Sequence, residues 1–136
     1  MLDPLLNTGW PTGYVFTDGA RFLDCAQRST RCMLFVDEAG EMIGHHHREL
    51  FWCATRARHL GHSSHFLAQR AAMIHPTVRS QCTRLLLFKV SHKDAEELVR
   101  EWARPEISAA PELEQGECLV VGRFGPIRRL RVFTPR

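Results

Sequence analysis

Apolar runs alternate with amphipathic stretches along this chain, and the alternation sets the elements to expect. Asp18 precedes a stretch, residues 19–31, in which Phe22, Leu23 and Ala26 share one helical face, so a helix capped by Asp18 is expected there. Residues 32–36, Cys32-Met33-Leu34-Phe35-Val36, are continuously apolar and run into Asp37-Glu38. Such a run reads as a strand buried on both faces, the habit of parallel sheets. A helix over 46–58 would turn Leu50, Phe51, Ala54 and Ala57 inward. A second buried strand is expected over 64–68, ending at Gln69. Pro76 suits the first position of a short helical turn.

A third apolar run occupies 85–90. Ser91-His92-Lys93-Asp94 then has the capping-box spacing, with Asp in place of the usual Glu. The helix it opens carries Ala95, Leu98, Val99 and Trp102 at helical spacing until Pro105 stops it. Residues 117–122 and 127–133 read as two strands around Arg123-Phe124-Gly125-Pro126, a hairpin with a loop of about four residues. Strands alternating with helices predict an α/β fold of three layers with a mainly parallel central sheet, helices on both faces and a C-terminal β-hairpin.

Composition narrows the setting. The chain has 136 residues, a length that suits one domain, with 44% hydrophobic and 24% charged residues. Its net charge of +3 permits contact with nucleic acid without demanding it. Lys89 and Lys93 are its lysines, and the other basic side chains are arginines, which suit phosphate and carboxylate pairing; compositional bias would give the same excess. The 5 cysteines are odd in number, widely spaced and without a Cys-x-x-Cys pair, so a reducing cytoplasm is expected rather than a disulfide framework. The N-terminus has no basic segment followed by an apolar core, as a secretory signal would, and no apolar stretch approaches the roughly 20 residues of a spanning helix. No stable membrane insertion is expected.

The sharpest chemical feature is the acid pair Asp37-Glu38 at the end of an apolar strand. A carboxylate there would sit at the carboxyl edge of a parallel sheet, where open α/β folds bind ligands. An Asp in that position helps hold Mg²⁺ in nucleotide-hydrolysing enzymes, and a following Glu can polarise the attacking water. The plainer alternative is two acids opening a helix, favoured by its dipole. Gln69 ends the next strand one helix and one strand later, the spacing of a βαβ unit. Arg56, Arg58, Arg79 and Arg84 flank these strands. Ring ATPases need such a residue to reach a neighbour's site, although most arginines are simply solvated.

Residues 34–88 resemble the core of the HerA/FtsK superfamily of DNA-pumping P-loop ATPases. The matching stretches are Leu34-Phe35-Val36-Asp37-Glu38-Ala39-Gly40, residues 56–70 and residues 75–95. They are especially similar to phage ATP-binding proteins, including packaging ATPases, and more distantly to the zonular-occludens-toxin-like assembly ATPases. Met1-Leu2-Asp3-Pro4-Leu5 resembles the family's second strand, which often ends in Asp-Pro. Ala68-Gln69 departs from the family's polar pair in having no Thr.

The resemblance implies ATP and Mg²⁺ as cofactors, Asp37 for the metal and nucleotide, Glu38 as catalytic base and Gln69 as sensor. It implies Arg79, or behind it Arg58, as the arginine acting in trans. It further implies a homo-oligomeric ring, DNA as cargo and phage assembly or capsid proteins as partners. Yet no Gly-x-x-x-x-Gly-Lys-Ser/Thr loop occurs, so a member truncated before its second strand, and unable to hydrolyse ATP alone, is expected.

Two other readings compete. His45, His46, His47, His59, His62 and His65, with Cys53 among them, have zinc-ligand chemistry but no His-Glu-x-x-His spacing. Arg128, Arg129 and Arg131 on the hairpin could track a nucleic-acid backbone, making the chain a non-catalytic binding or assembly module. Charge that protects an edge strand would look the same.

Overall fold

The computed structural model describes residues 13–43 and 48–133. The chain divides into two units. One holds the residues up to Gln69 together with Met73–Gln81; the other holds Arg70–Ala72 and the residues from Cys82 onward.

In the first unit, helix α1 (Gly19–Arg28) starts where Asp18 Oδ1 accepts from the N–H of Ala20 at 2.8 Å and of Arg21 at 3.4 Å. Strands β1 (Met33–Val36) and β2 (Ser63–Phe66) pair in parallel, from Met33 beside Ser63 to Val36 beside Phe66. Between them run α2 (Ala39–Met42), a 3-10 turn (Arg48–Leu50), α3 (Phe51–Thr55) and a second 3-10 turn (Ala57–Leu60). The helix expected over 46–58 starts outside the described residues, and its described part is broken. Thr55 Oγ1 donates back to the Phe51 carbonyl at 2.9 Å, a bond that loosens helices, and the last turn tightens to 3-10. Helix α4 (Pro76–Gln81) follows β2, with Pro76 at its first position.

The core of this unit joins Val36, Ala39, Ile43, Leu50 and Val78 in one cluster and Ala26, Leu34, Cys53 and Ala57 in another, with Phe22 and Phe66 packed against both. Leu34 and Val36 point into these clusters, whereas Met33 is 70% and Phe35 40% exposed. The expectation that β1 is buried on both faces is therefore corrected. The strand covers one face only, and Phe35 stacks on its register partner His65 on the other, ring centroids 4.7 Å apart.

The second unit is antiparallel. Strands β3 (Arg84–Leu87), β4 (Glu117–Gly122) and β5 (Arg128–Arg131) form a sheet in that order. Helix α5 (His92–Trp102) and a 3-10 segment (Pro105–Glu112) complete its core, which gathers Leu87, Leu98, Trp102, Ile107, Ala110, Leu113, Leu119 and Val121. Ser91 caps α5 as its spacing requires: its Oγ accepts from the Asp94 N–H at 3.1 Å and donates to Asp94 Oδ2 at 2.8 Å. At Gly116, φ is +85°, and a Cβ there would lie 2.1 Å from the Phe133 carbonyl oxygen, so only glycine fits.

The architecture is thus mixed α/β, with a two-stranded parallel sheet and a three-stranded antiparallel one. A single, mainly parallel sheet is not what forms. In β3, the apolar run expected over 85–90, Leu86 is 60% exposed while Leu87 is buried. A strand with one wet face needs one packed neighbour layer, and the apolar residues of β4 supply its hydrogen-bonding partner.

Candidate functional site

The ends of β1 and β2 are stitched together. The Leu67 N–H donates to the Val36 carbonyl at 2.9 Å, and the Ala39 N–H returns to the Leu67 carbonyl at 2.8 Å. Asp37 leaves β1, and Gln69 lies three residues beyond Phe66 of β2, so both follow the same, carboxyl, end of a parallel pair. Asp37 is half-buried and its Oδ1 accepts from the Glu38 N–H at 2.9 Å. Glu38 and Gln69 are exposed.

Glu38 adopts the left-handed conformation, φ 50° and ψ 40°, at the cap of α2. For a residue with a Cβ this costs roughly 1–2 kcal/mol. The fully buried Ala39 and the stitched strand ends hold it there. Strain of this kind gathers at functional sites. Next to it, a Cβ on Gly40 would lie 2.6 Å from the Met73 Cβ, so α2 starts against that residue at a distance only glycine allows.

The two candidate arginines are placed differently. Arg79 follows Val78 on α4, and Val78 packs in the cluster that contains Val36 and Ala39, the apolar neighbours of the acid pair. Arg79 is half-buried, with Nε shut off from solvent. Arg58 is exposed in the 3-10 turn before β2, at the amino end of the parallel pair, about 13 Å of strand away from the acids.

His62 and His65 are engaged within the first unit. His62 is buried; its Nδ1 accepts from the Cys32 N–H and its Nε2 donates to the Ala26 carbonyl, each at 3.0 Å. These two bonds assign the tautomer and tie α1 and β1 to the start of β2. No local signal marked this role, since His62 lies between Gly61 and Ser63. His65 is engaged by Phe35 and by Ser63 Oγ at 3.3 Å. Burial pushes the Cys53 thiol up to about 11, which withholds the thiolate a metal needs. Among the described residues no three His, Cys, Asp or Glu side chains converge on a metal position; His45, His46 and His47 lie outside them, as does Met1-Leu2-Asp3-Pro4-Leu5.

The hairpin arginines separate by face. Arg129 and Arg131 both engage Glu117, Arg131 at 3.1 Å, and Arg131 also engages Glu114 at 2.7 Å. Arg128 points the other way, as strand alternation requires. Sequence reading missed this division because Glu114 and Glu117 lie more than ten residues away along the chain.

Among the described residues no helix is long and apolar enough to cross a membrane. No protein-family model matches this chain, and no curated protein matches it.

Proposed function

We propose that the first unit carries the acid-bearing part of a nucleotide-hydrolysing motor site of the P-loop, HerA/FtsK-like kind, in an oligomeric ring that moves DNA during phage packaging or a related transfer. One observation carries this reading: β1 and β2 are parallel neighbours, and Asp37, Glu38 and Gln69 follow their carboxyl ends. Ligands of parallel α/β sheets bind at that edge. The strained backbone of Glu38 adds weight.

The residues fit Mg²⁺ held jointly with nucleotide phosphates, which asks the protein for only one or two carboxylates. Bound Mg²⁺ would neutralise charge on the phosphate oxygens. Asp37 would hold it, its carboxylate oriented by the Glu38 N–H. Exposed Glu38 would accept the proton of an attacking water, and the Gln69 amide would orient that water. The residues do not fit the triphosphate by themselves, because the sequence has no glycine-rich phosphate loop. The loop has to come from elsewhere in the working assembly.

Paramagnetic broadening tests the reading without requiring turnover. Manganese with ATP, titrated into isotopically labelled protein, is expected to broaden amide signals of residues 37–40 and 67–69, and Asp37→Asn to abolish the effect. Broadening that spares these residues, or that survives Asp37→Asn, overturns the proposal.

A further inference from the structure

The sheet of the second unit packs one face on the core, and the opposite face is open at Arg84, Leu86, Arg128 and Leu130 though closed at the buried Cys118. Leu85, Leu87, Leu119 and Val121 share the face packed on the core. The opposite face carries Arg84 beside Gly122, Leu86 beside Val120, Val120 beside Arg128, and Cys118 beside Leu130. On it Leu86 is 60% and Leu130 43% exposed, and Arg84 and Arg128 are both exposed. Among the described residues no ion pair engages Arg84 or Arg128, whereas Arg129 and Arg131 are matched to Glu117 and Glu114. No strand residue of the opposite face is acidic. Two strand spacings across and two residues along β4 separate Arg84 from Arg128, about 12 Å in all.

The β4–β5 loop brings the backbone of an exposed aromatic residue, Phe124, to this side of the sheet. A Cβ on Gly122 would fall 2.9 Å from the Phe124 carbonyl oxygen, so the loop folds back over the side on which Arg84 lies. Its backbone is held firmly. Arg104 donates to the carbonyls of Gly122 at 3.3 Å and Gly125 at 3.0 Å. Arg123 donates to the Cys82 carbonyl at 3.1 Å and lies 4.3 Å over the Trp102 ring. Phe124 between them is nevertheless 93% exposed. A fixed loop that keeps a large aromatic ring in water offers a stacking platform whose ordering cost is already met by the fold.

We propose that this outer face binds single-stranded nucleic acid, with Arg84 and Arg128 taking phosphates and Phe124 stacking on a base. Arginines without acids meet the backbone charge, and the ring accepts any base, because every base has a π-face. A duplex keeps its base faces stacked on one another, and an acidic peptide would match the arginines but leave the ring uncovered. The proposal concerns the second unit alone and does not depend on the nucleotide reading.

Fluorescence anisotropy with labelled oligothymidylate and oligouridylate tests it. Binding is expected to weaken with salt at a logarithmic slope of about −1.4, from two phosphates at about 0.7 each. Arg84→Ala and Arg128→Ala should each remove about half of that slope. Phe124→Ala should weaken binding about tenfold with the slope unchanged. Arg21→Ala, an exposed arginine of α1, should change neither. Equal binding of both oligonucleotides supports the shared chemistry, and a preference for one names its source. Absent binding, a slope indifferent to both arginine changes, or equal affinity for a duplex or an oligoglutamate peptide overturns the proposal. Photocrosslinking of an iodouracil oligonucleotide to the unaltered protein gives a reading free of folding effects: adducts should map to residues 123–128, and adducts confined elsewhere refute it.

Discussion

At the scale of single residues, two positions show what backbone and burial demand. Glu38 holds a left-handed conformation that its Cβ disfavours. Glu38→Gly should therefore raise stability by about 1 kcal/mol in urea unfolding, while removing the acid the proposed chemistry needs. A stability gain at the cost of a charged group is what a residue kept for its chemistry would show. His62 bridges Cys32 and Ala26 with both ring nitrogens. His62→Ala orphans the Cys32 N–H and opens a cavity, and the expected loss is about 2 kcal/mol by the same measurement. Neither role was legible from residue type. Histidine near cysteine reads equally as ligand or as core, and only the donors and acceptors around the ring distinguish the two.

At the scale of elements, the caps were legible and the pairings were not. Asp18 and Ser91 start α1 and α5 where their spacing says they should, because a cap needs only its own next three residues. Ser91→Ala should cost about 1 kcal/mol, read as faster amide exchange along α5. The carboxylates of the second unit make a second prediction. Hydrogen bonds from Arg70 and then Ser91 hold Asp94 below its ordinary value, and those from Arg129 and the Glu114 N–H hold Glu117 low. Groups with lowered folded values contribute stability that is full above the ordinary carboxylate range and is lost as pH falls through those lowered values. Acid titration followed by circular dichroism should therefore show the unit weakening on that limb, with Glu117→Gln flattening the dependence. The hairpin was expected from its loop, but its ion pairs join residues distant in sequence, which no local pattern encodes.

At the scale of the whole molecule, the sequence holds no glycine-rich phosphate loop, and the proposed function then predicts no turnover by this chain alone. Purified protein with Mg²⁺ and ATP should release phosphate at no more than the buffer rate, unchanged by Glu38→Gln; Glu38-dependent turnover in a phosphate-release assay would contradict this. By itself the sequence determined where α1, α4 and α5 start, where the apolar strands lie and that Asp37-Glu38 follows one of them, because caps and apolar runs act over a few neighbouring residues. Only tertiary structure decided that β3 leaves the parallel pair for an antiparallel sheet, that β1 and β3 each keep one face wet, and which arginines find acids. A continuous apolar run has the same local pattern whether one face or two are covered, and burial depends on residues that the chain brings in from elsewhere.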